Sequence, residues 1–207
     1  MLYNRCSEVD ENFWRDLAQA DPEDIRRRTG VKVNQEVFQV PYFNRELVVD
    51  QGQQRVYLAD APEDEPGFRR CLITLLYLLL MDTTALGSPL SPLELSGATM
   101  FFQKSGPHAI PSGPLEKRFG QDRAAFLEVG RRLGAEERAK GDAALALTVL
   151  PGLPVEVILW EADEDFPAQV SFTVPAQLDR FWQLDAVLGL MGVVVKELLQ
   201  AAPPPAK

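Results

Sequence analysis

Pro154–Pro167, PVEVILWEADEDFP, changes character within one residue. Up to Trp160 it is β-branched, aliphatic and aromatic and opens on a proline, which is the pattern of a strand. Glu156 breaks the run once and predicts a wet face at the strand's start. Trp160 is expected to be mostly buried and to anchor the strand's end. Beyond it, Glu161, Asp163, Glu164 and Asp165 crowd four carboxylates into one turn. Carboxylates so close repel one another and need water, a cation or a basic partner. Arg180, Arg118 and Lys117 are the candidate basic partners. Phe166 is expected to fold back on the core, and Pro167 ends the turn with a fixed φ. A solvated strand-end loop satisfies this pattern. So does a divalent-cation or ligand site, because Ca²⁺ and Mg²⁺ take carboxylate oxygens. The spacing is not that of an EF-hand loop, which needs a glycine at its sixth position and a late glutamate.

The neighbouring residues extend the strand into a sheet. Ala143–Leu150 alternates as a strand, and Pro151-Gly152 turns it into the opening strand, which makes the two antiparallel. Gln169–Val174 reads as a third strand, with Val170, Phe172 and Val174 on one face. Upstream, Phe68–Met81, FRRCLITLLYLLLM, is apolar on nearly every side and predicts a buried central helix. Tyr77 within it reads as a core tyrosine with a satisfied hydroxyl. Asp185 opens a last helix, Ala186–Gln200, with Val187, Leu190, Met191, Val194 and Leu198 on its apolar face. A helix apolar all round must be covered on several sides, and a sheet plus a second helix does that. The expected fold is therefore α+β, an antiparallel or mixed sheet packed on a buried central helix and a C-terminal amphipathic helix. Residues 1–200 are expected to form a single domain, and Ala201–Lys207 a disordered Pro-rich tail.

The first third of the chain reads as helices followed by short strands. Ser7 or Asp10 caps a first helix with Phe13, Trp14, Leu17 and Ala18 on one face. Asp21 and Pro22 suit the N-cap and first position of a second helix, which runs through Arg28 and stops at Gly30. Arg26-Arg27-Arg28 then complements that helix's dipole. Glu36–Val40, Glu46–Asp50 and Arg55–Ala59 form a three-stranded meander, and Ala61–Gly67 is an acidic turn. Gly87–Pro114 holds five prolines and four glycines and reads as a long loop. Within it, Ser91–Leu95 suggests a helical turn and Ala98–Gln103 a strand. Leu115–Gly120 and Asp122–Leu133 read as helices, joined through the charged surface connection Ala135–Gly141 to the sheet.

Composition narrows the function. The chain has 207 residues, 46% hydrophobic and 25% charged, ample for a core without disulfides. Cys6 and Cys71 belong to no CxxC pair, so zinc and iron–sulfur ligation lack ligands. Both are expected to be reduced, with Cys71 a small core residue. A net charge of −9 repels phosphate backbones and argues against a nucleic-acid partner. The N-terminus has acids where a signal peptide needs an apolar core. The longest apolar stretch, Cys71–Met81, falls short of the roughly 20 residues of a membrane helix. No membrane association is expected, and the location is cytoplasmic. Neither GxGxxG nor GxxxxGK[ST] occurs, and no internal repeat is present. His108, in SGPHAIPSGP, is the only histidine. It cannot build a metal site alone, and no Ser-His-Asp spacing accompanies it.

Several segments together resemble a family: Leu72–Leu79 (LITLLYLL), Pro114–Gly120 (PLEKRFG), Gly141–Pro167 (GDAALALTVLPGLPVEVILWEADEDFP) and the final amphipathic helix. The resemblance is to domain of unknown function 3786, an uncharacterised family found mainly in anaerobic bacteria and archaea, and spans most of Val33–Leu199. It implies a setting in anaerobic redox or one-carbon metabolism. Some relatives carry a cysteine-rich iron–sulfur segment beside this domain, whose ligands Cys6 and Cys71 do not supply. Many relatives continue after the position of Phe172 with Phe-Asp, where this chain has Thr173-Val174-Pro175.

Three functions stand side by side. The first is a non-enzymatic binding or accessory protein, its ligand surface formed by Trp160, Glu161, Asp163, Glu164, Asp165 and the His108 loop. The second is a carboxylate-based enzyme, with or without Mg²⁺, in which crowded carboxylates share a proton and act as acid and base. The third is a tetrapyrrole or corrinoid carrier with His108 as axial ligand. No cofactor is predicted, apart from a weak divalent cation at Asp163 and Asp165. The expected partner is a protein or a small molecule, and the oligomeric state is left open.

Overall fold

A computed structural model describes residues 5–64 and 66–203. It is an α+β protein with two antiparallel sheets. After a 3-10 turn at Cys6–Glu8 come α1 (Glu11–Gln19) and α2 (Pro22–Thr29). The first sheet follows as a meander of β1 (Lys32–Asn34), β2 (Val37–Tyr42), β3 (Arg45–Asp50) and β4 (Arg55–Leu58). α3 (Phe68–Leu80) leads into β5 (Pro89–Leu90), α4 (Ala98–Phe101), α5 (Gly113–Phe119) and α6 (Arg123–Arg132). Then come β6 (Glu136–Arg138), β7 (Ala143–Leu150), β8 (Leu153–Trp160), β9 (Gln169–Pro175) and α7 (Leu184–Ala201). The second sheet has the order β5-β9-β8-β7-β6.

The chemistry of each element's ends explains its bounds. Asp10 accepts from the Asn12 N–H and Asp21 from the Glu23 N–H, so each caps its helix. Pro22 sits in the first turn of α2, and Gly30, at φ +73°, ends it in the left-handed conformation. The β7–β8 hairpin closes at Pro151-Gly152, with Leu150 opposite Leu153. Gly152 has φ +67°, and a Cβ there would lie 2.7 Å from Thr83 Cβ, so this turn admits only glycine.

α3 lies at the centre. Cys71, Ile73, Leu75, Tyr77 and Leu78 are at most 3% exposed. The helix packs against α1, α2 and α7. The Tyr77 hydroxyl donates to the Pro151 carbonyl at 2.7 Å, and burial pushes its pKa far up. Arg28 reaches past its own helix and donates to the Leu78 carbonyl at 3.1 Å and to that of Met81. Arg28 thus caps α3's C-terminal carbonyls, while Arg26 and Arg27 pair with Glu23 and Asp24 within α2. Glu197 of α7 is 7% exposed, accepts from the Tyr42 hydroxyl at 2.8 Å and pairs with Arg70. Those three residues tie α7, β2 and α3 together in one buried polar contact.

Several expectations are corrected. Lys32–Asn34 adds a fourth strand to the meander, and Ala135–Gly141 contains an edge strand paired with β7. Ala98–Gln103 is not a strand: it starts as the short helix α4, and Met100 stands 89% exposed. Gly97, at φ +74°, precedes this helix, and the Phe102 N–H closes it on the Ala98 carbonyl at 2.8 Å. Glu156 is not wet. It is 6% exposed and accepts from Lys140 Nζ at 2.6 Å and the Thr173 hydroxyl at 2.8 Å. The cysteines are not free either: Cys6 and Cys71 form a disulfide, their Cα atoms 5.4 Å apart. α7 runs on to Ala201. Of the rest of the expected disordered tail, Ala202 packs on the core and the Pro203 carbonyl accepts from Arg118; residues 204–207 lie outside the described residues, as do residues 1–4. No helix among the described residues is long and apolar enough to cross a membrane.

Arg70→Met leaves Glu197 charged and unpaired in the core, and is expected to cost about 3–5 kcal/mol in urea unfolding. A loss below about 1 kcal/mol would show that Glu197 reaches water. For Glu156, burial disfavours the charge, but the bonds from Lys140 and Thr173 prevail and hold the carboxyl below its ordinary 4.5. Its folded pKa is lowered, so its contribution is present above 4.5 and is lost as pH falls through the lowered value. Stability measured from pH 6 downward should therefore fall more steeply in wild type than in Glu156→Gln, and parallel slopes would refute the assignment.

Candidate functional site

The acidic turn is built to hold itself together. Glu161 ends β8's exit: its N–H donates to Asp142 Oδ2 at 2.8 Å, and its own Oε1 accepts from the Arg123 N–H at 3.0 Å. Arg123 Nε lies 3.9 Å from Glu161 Oε2, so the basic neighbour is Arg123 rather than Arg180, Arg118 or Lys117. Arg118 instead donates to the Pro203 carbonyl, and Arg180 to Gln177. Asp163 Oδ1 accepts from the N–H groups of Asp165 at 2.9 Å and Phe166 at 2.7 Å, an Asx-type turn. The Ala162 N–H is held by the Gly120 carbonyl at 2.8 Å. A Cβ at Gly120 would lie 2.4 Å from Ala168 Cβ, so the close approach of α5 to this loop requires glycine.

The carboxylates of Asp163, Glu164 and Asp165 belong to exposed residues. Among the described residues no group of three or more His, Cys, Asp and Glu side chains converges as a metal-binding set. A polar hollow of about 320 Å³ lies at the turn's base, lined by Lys117, Arg118, Asp122, Ala162 and Ala168, and none of the four acids lines it. Trp160 is 41% exposed and Phe166 65%, against the expectation that both pack inward. The pleat explains Trp160: its neighbour Leu159 takes the buried face, and Trp160 pairs with exposed Gln169 at the last rung of the ladder. His108 lies elsewhere. Its ring stacks on Phe101 at 4.4 Å between centroids, and its carbonyl accepts from the Gln103 N–H.

A concave site that the sequence does not reveal lies on α3. Leu72, Leu76 and Leu80 recur at helical spacing and are the part of α3 that its neighbours leave uncovered, Leu80 being 47% exposed. With Ile73 they line a cleft of about 620 Å³. Phe13 of α1 contributes to it, as do Phe181 and Trp182 before α7 and Ala186 and Gly189 within it. Trp182 is fixed by donating its indole N–H to the Leu76 carbonyl at 3.4 Å. Arg69, Gln183 and Asp185 are the polar groups of the cleft. The signal available in the sequence is the excess of leucine on α3, more than a sheet and one helix can cover. Its small-residue complement, Ala186 and Gly189, is spread over another helix.

The turn's geometry makes Trp160 and Asp163 separable. Trp160→Ala is expected to cost about 1 kcal/mol, against the 3–5 kcal/mol of a buried tryptophan. Asp163→Ala removes both Asx contacts and is expected to cost about 0.5–2 kcal/mol, while Asp163→Asn keeps an accepting oxygen and most of that stability. Denaturant melts decide it, and equal losses for the alanine and asparagine variants would contradict the Asx role.

No curated protein and no solved structure matches the chain. Residues 21–197, from α2 through most of α7 and including α3, both sheets and the acidic turn, match the family described as Domain of unknown function (DUF3786), and the chain belongs to that family.

Proposed function

We propose that the protein is a non-enzymatic binding protein whose ligand, a small and largely apolar molecule with one polar end, occupies the cleft between α1, α3 and α7. The observation that carries this reading is the cleft itself. Its volume of about 620 Å³ falls in the range of small-molecule sites, roughly 300–1,000 Å³. Its walls are leucine, isoleucine and aromatic side chains, and a few polar groups stand among them, which is how such sites combine affinity with orientation. Full burial of a leucine contributes about 1.5–3 kcal/mol. Leu72, Leu76 and Leu80 give up part of that in the free protein, and a ligand restores it.

Neither His108 nor the acidic turn lines the cleft, so the carrier and carboxylate-enzyme alternatives draw no support from it. An accessory role in anaerobic redox or one-carbon metabolism is compatible with this reading as its setting.

The test is a titration with 8-anilinonaphthalene-1-sulfonate, an apolar fluorophore with one anionic end. A Cβ at Gly189 would make ordinary contact with Ile73 Cδ1, 3.5 Å away, so a larger side chain there enters the cleft without a backbone clash. Gly189→Phe is expected to weaken dye binding about tenfold or more, equivalent to about 1.4 kcal/mol, with circular dichroism unchanged. Leu76→Arg should do the same. Equal affinity in wild type and both variants would refute the site.

A further inference from the structure

The disulfide joins α3, which lines the cleft, to the 3-10 turn that leads into α1. Cys71 lies in α3 between Phe68 and Leu72, both lining residues. Cys6 lies 65 residues earlier, in the 3-10 turn that passes through buried Val9 and the Asp10 cap into α1, where Phe13 lines the cleft. The bond therefore fixes the start of the segment that carries α1 and Phe13 to α3, and α1 also packs on α3 directly.

Both cysteines are buried, Cys71 wholly and Cys6 with 6% of the residue exposed. Cys6 also lines a separate pocket of about 220 Å³, together with Ser7, Gln54, Arg55, Val56 and Glu63. Arg55, whose guanidinium donates to the Pro62 carbonyl at 3.1 Å, and Glu63 are the charged residues that line this pocket. A cation beside an attacking thiol favours its thiolate, the reactive form.

We propose that Cys6–Cys71 is a thiol–disulfide exchange site, reduced by a small dithiol entering the Cys6 pocket, and that its reduction loosens the α1 wall of the cleft. This rests on the cleft being the ligand site. In the first step a dithiol thiolate attacks Cys6 Sγ, forming a mixed disulfide. The electron pair of the broken bond leaves on Cys71 Sγ, which takes a proton. In the second step the dithiol's other thiolate attacks its own sulfur in the mixed disulfide and releases Cys6, which takes the second proton. The protein gains two electrons and two protons, and the dithiol leaves as a cyclic disulfide. Without the bond, α1 is held to α3 by packing alone, and the cleft loses the fixed position of Phe13.

The experiment treats the full-length oxidised protein with millimolar dithiothreitol under native conditions. Samples are quenched in acid, alkylated in urea and weighed by mass spectrometry, and dye binding is titrated in parallel. The expected result is two alkylated cysteines without prior unfolding, slower reduction in Arg55→Glu under native conditions but not in urea, and about tenfold weaker dye binding after reduction. Cys6→Ser should reproduce the weaker binding without reductant. A disulfide reduced only at the rate of global unfolding overturns the exchange site. So does loss of helical ellipticity on reduction, since the bond would then hold the fold and not the cleft. Reduction that leaves dye affinity unchanged overturns the coupling while the cleft reading stands. Dye that binds neither form overturns both.

Discussion

Covering α3 is the constraint on which the rest of this structure depends. A helix with leucine, isoleucine and tyrosine on almost every side cannot face water anywhere without losing the burial that drives folding. No single sheet or helix encloses a cylinder. The chain therefore surrounds α3 with α1, α2 and α7 and sets the β7–β8 turn against Tyr77. Each wrapping element brings backbone or side-chain polar groups into the interior, and each of these has to be satisfied. Tyr77 bonds the Pro151 carbonyl, Thr74 its own helix at Arg70, and Glu197 bonds Tyr42 and Arg70. Among the described residues no fully buried side-chain nitrogen or oxygen lacks a partner.

The wrapping is complete except along Leu72, Leu76 and Leu80, and that exception makes the cleft. Two helices pack closely where small residues meet large ones. Here Ala186 and Gly189 of α7 line the cleft with Leu72, Leu76 and Leu80, and their small side chains leave it open near the start of α7. Filling the gap would have needed only larger residues at those two positions. The open stripe is thus a property of particular side chains and not of the fold.

Periodicity made the parts of this architecture governed by local sequence readable. β7 and β9 alternate, β8 is a continuous apolar run, a Pro-Gly turn joins β7 to β8, and Asp10 and Asp21 cap helices in the expected way. What escaped was set by residues far apart in the chain. Lys32–Asn34 is too short and polar to announce itself, and is a strand because Val37–Asn34 pairing extends β2's ladder. The Cys6–Cys71 bond depends on Cα atoms brought within 5.4 Å by the packing of α3, which spacing alone does not report. Trp160 misled because hydrophobicity predicts burial on average, while the pleat assigns it to the face where cover has run out. The acidic turn was legible as a turn but not as self-contained, because Arg123 and Asp142 come from separate elements.

The contrast between the acidic turn and the cleft follows from how each meets its electrostatic and solvation demands. At the turn, Asp163 spends one oxygen on two backbone N–H groups, Glu161 is tied to Arg123, and Glu164 and Asp165 face water. Like charges that are hydrated and partly engaged leave little for a ligand to improve. In the cleft the unmet demand is apolar. Water in a concave space lined by leucine and phenylalanine makes few hydrogen bonds, and displacing it is favourable wherever the incoming group is apolar. Conspicuous charge in a sequence and unsatisfied surface in a structure are different quantities. In this protein they lie in different places, and the proposed ligand site follows the second.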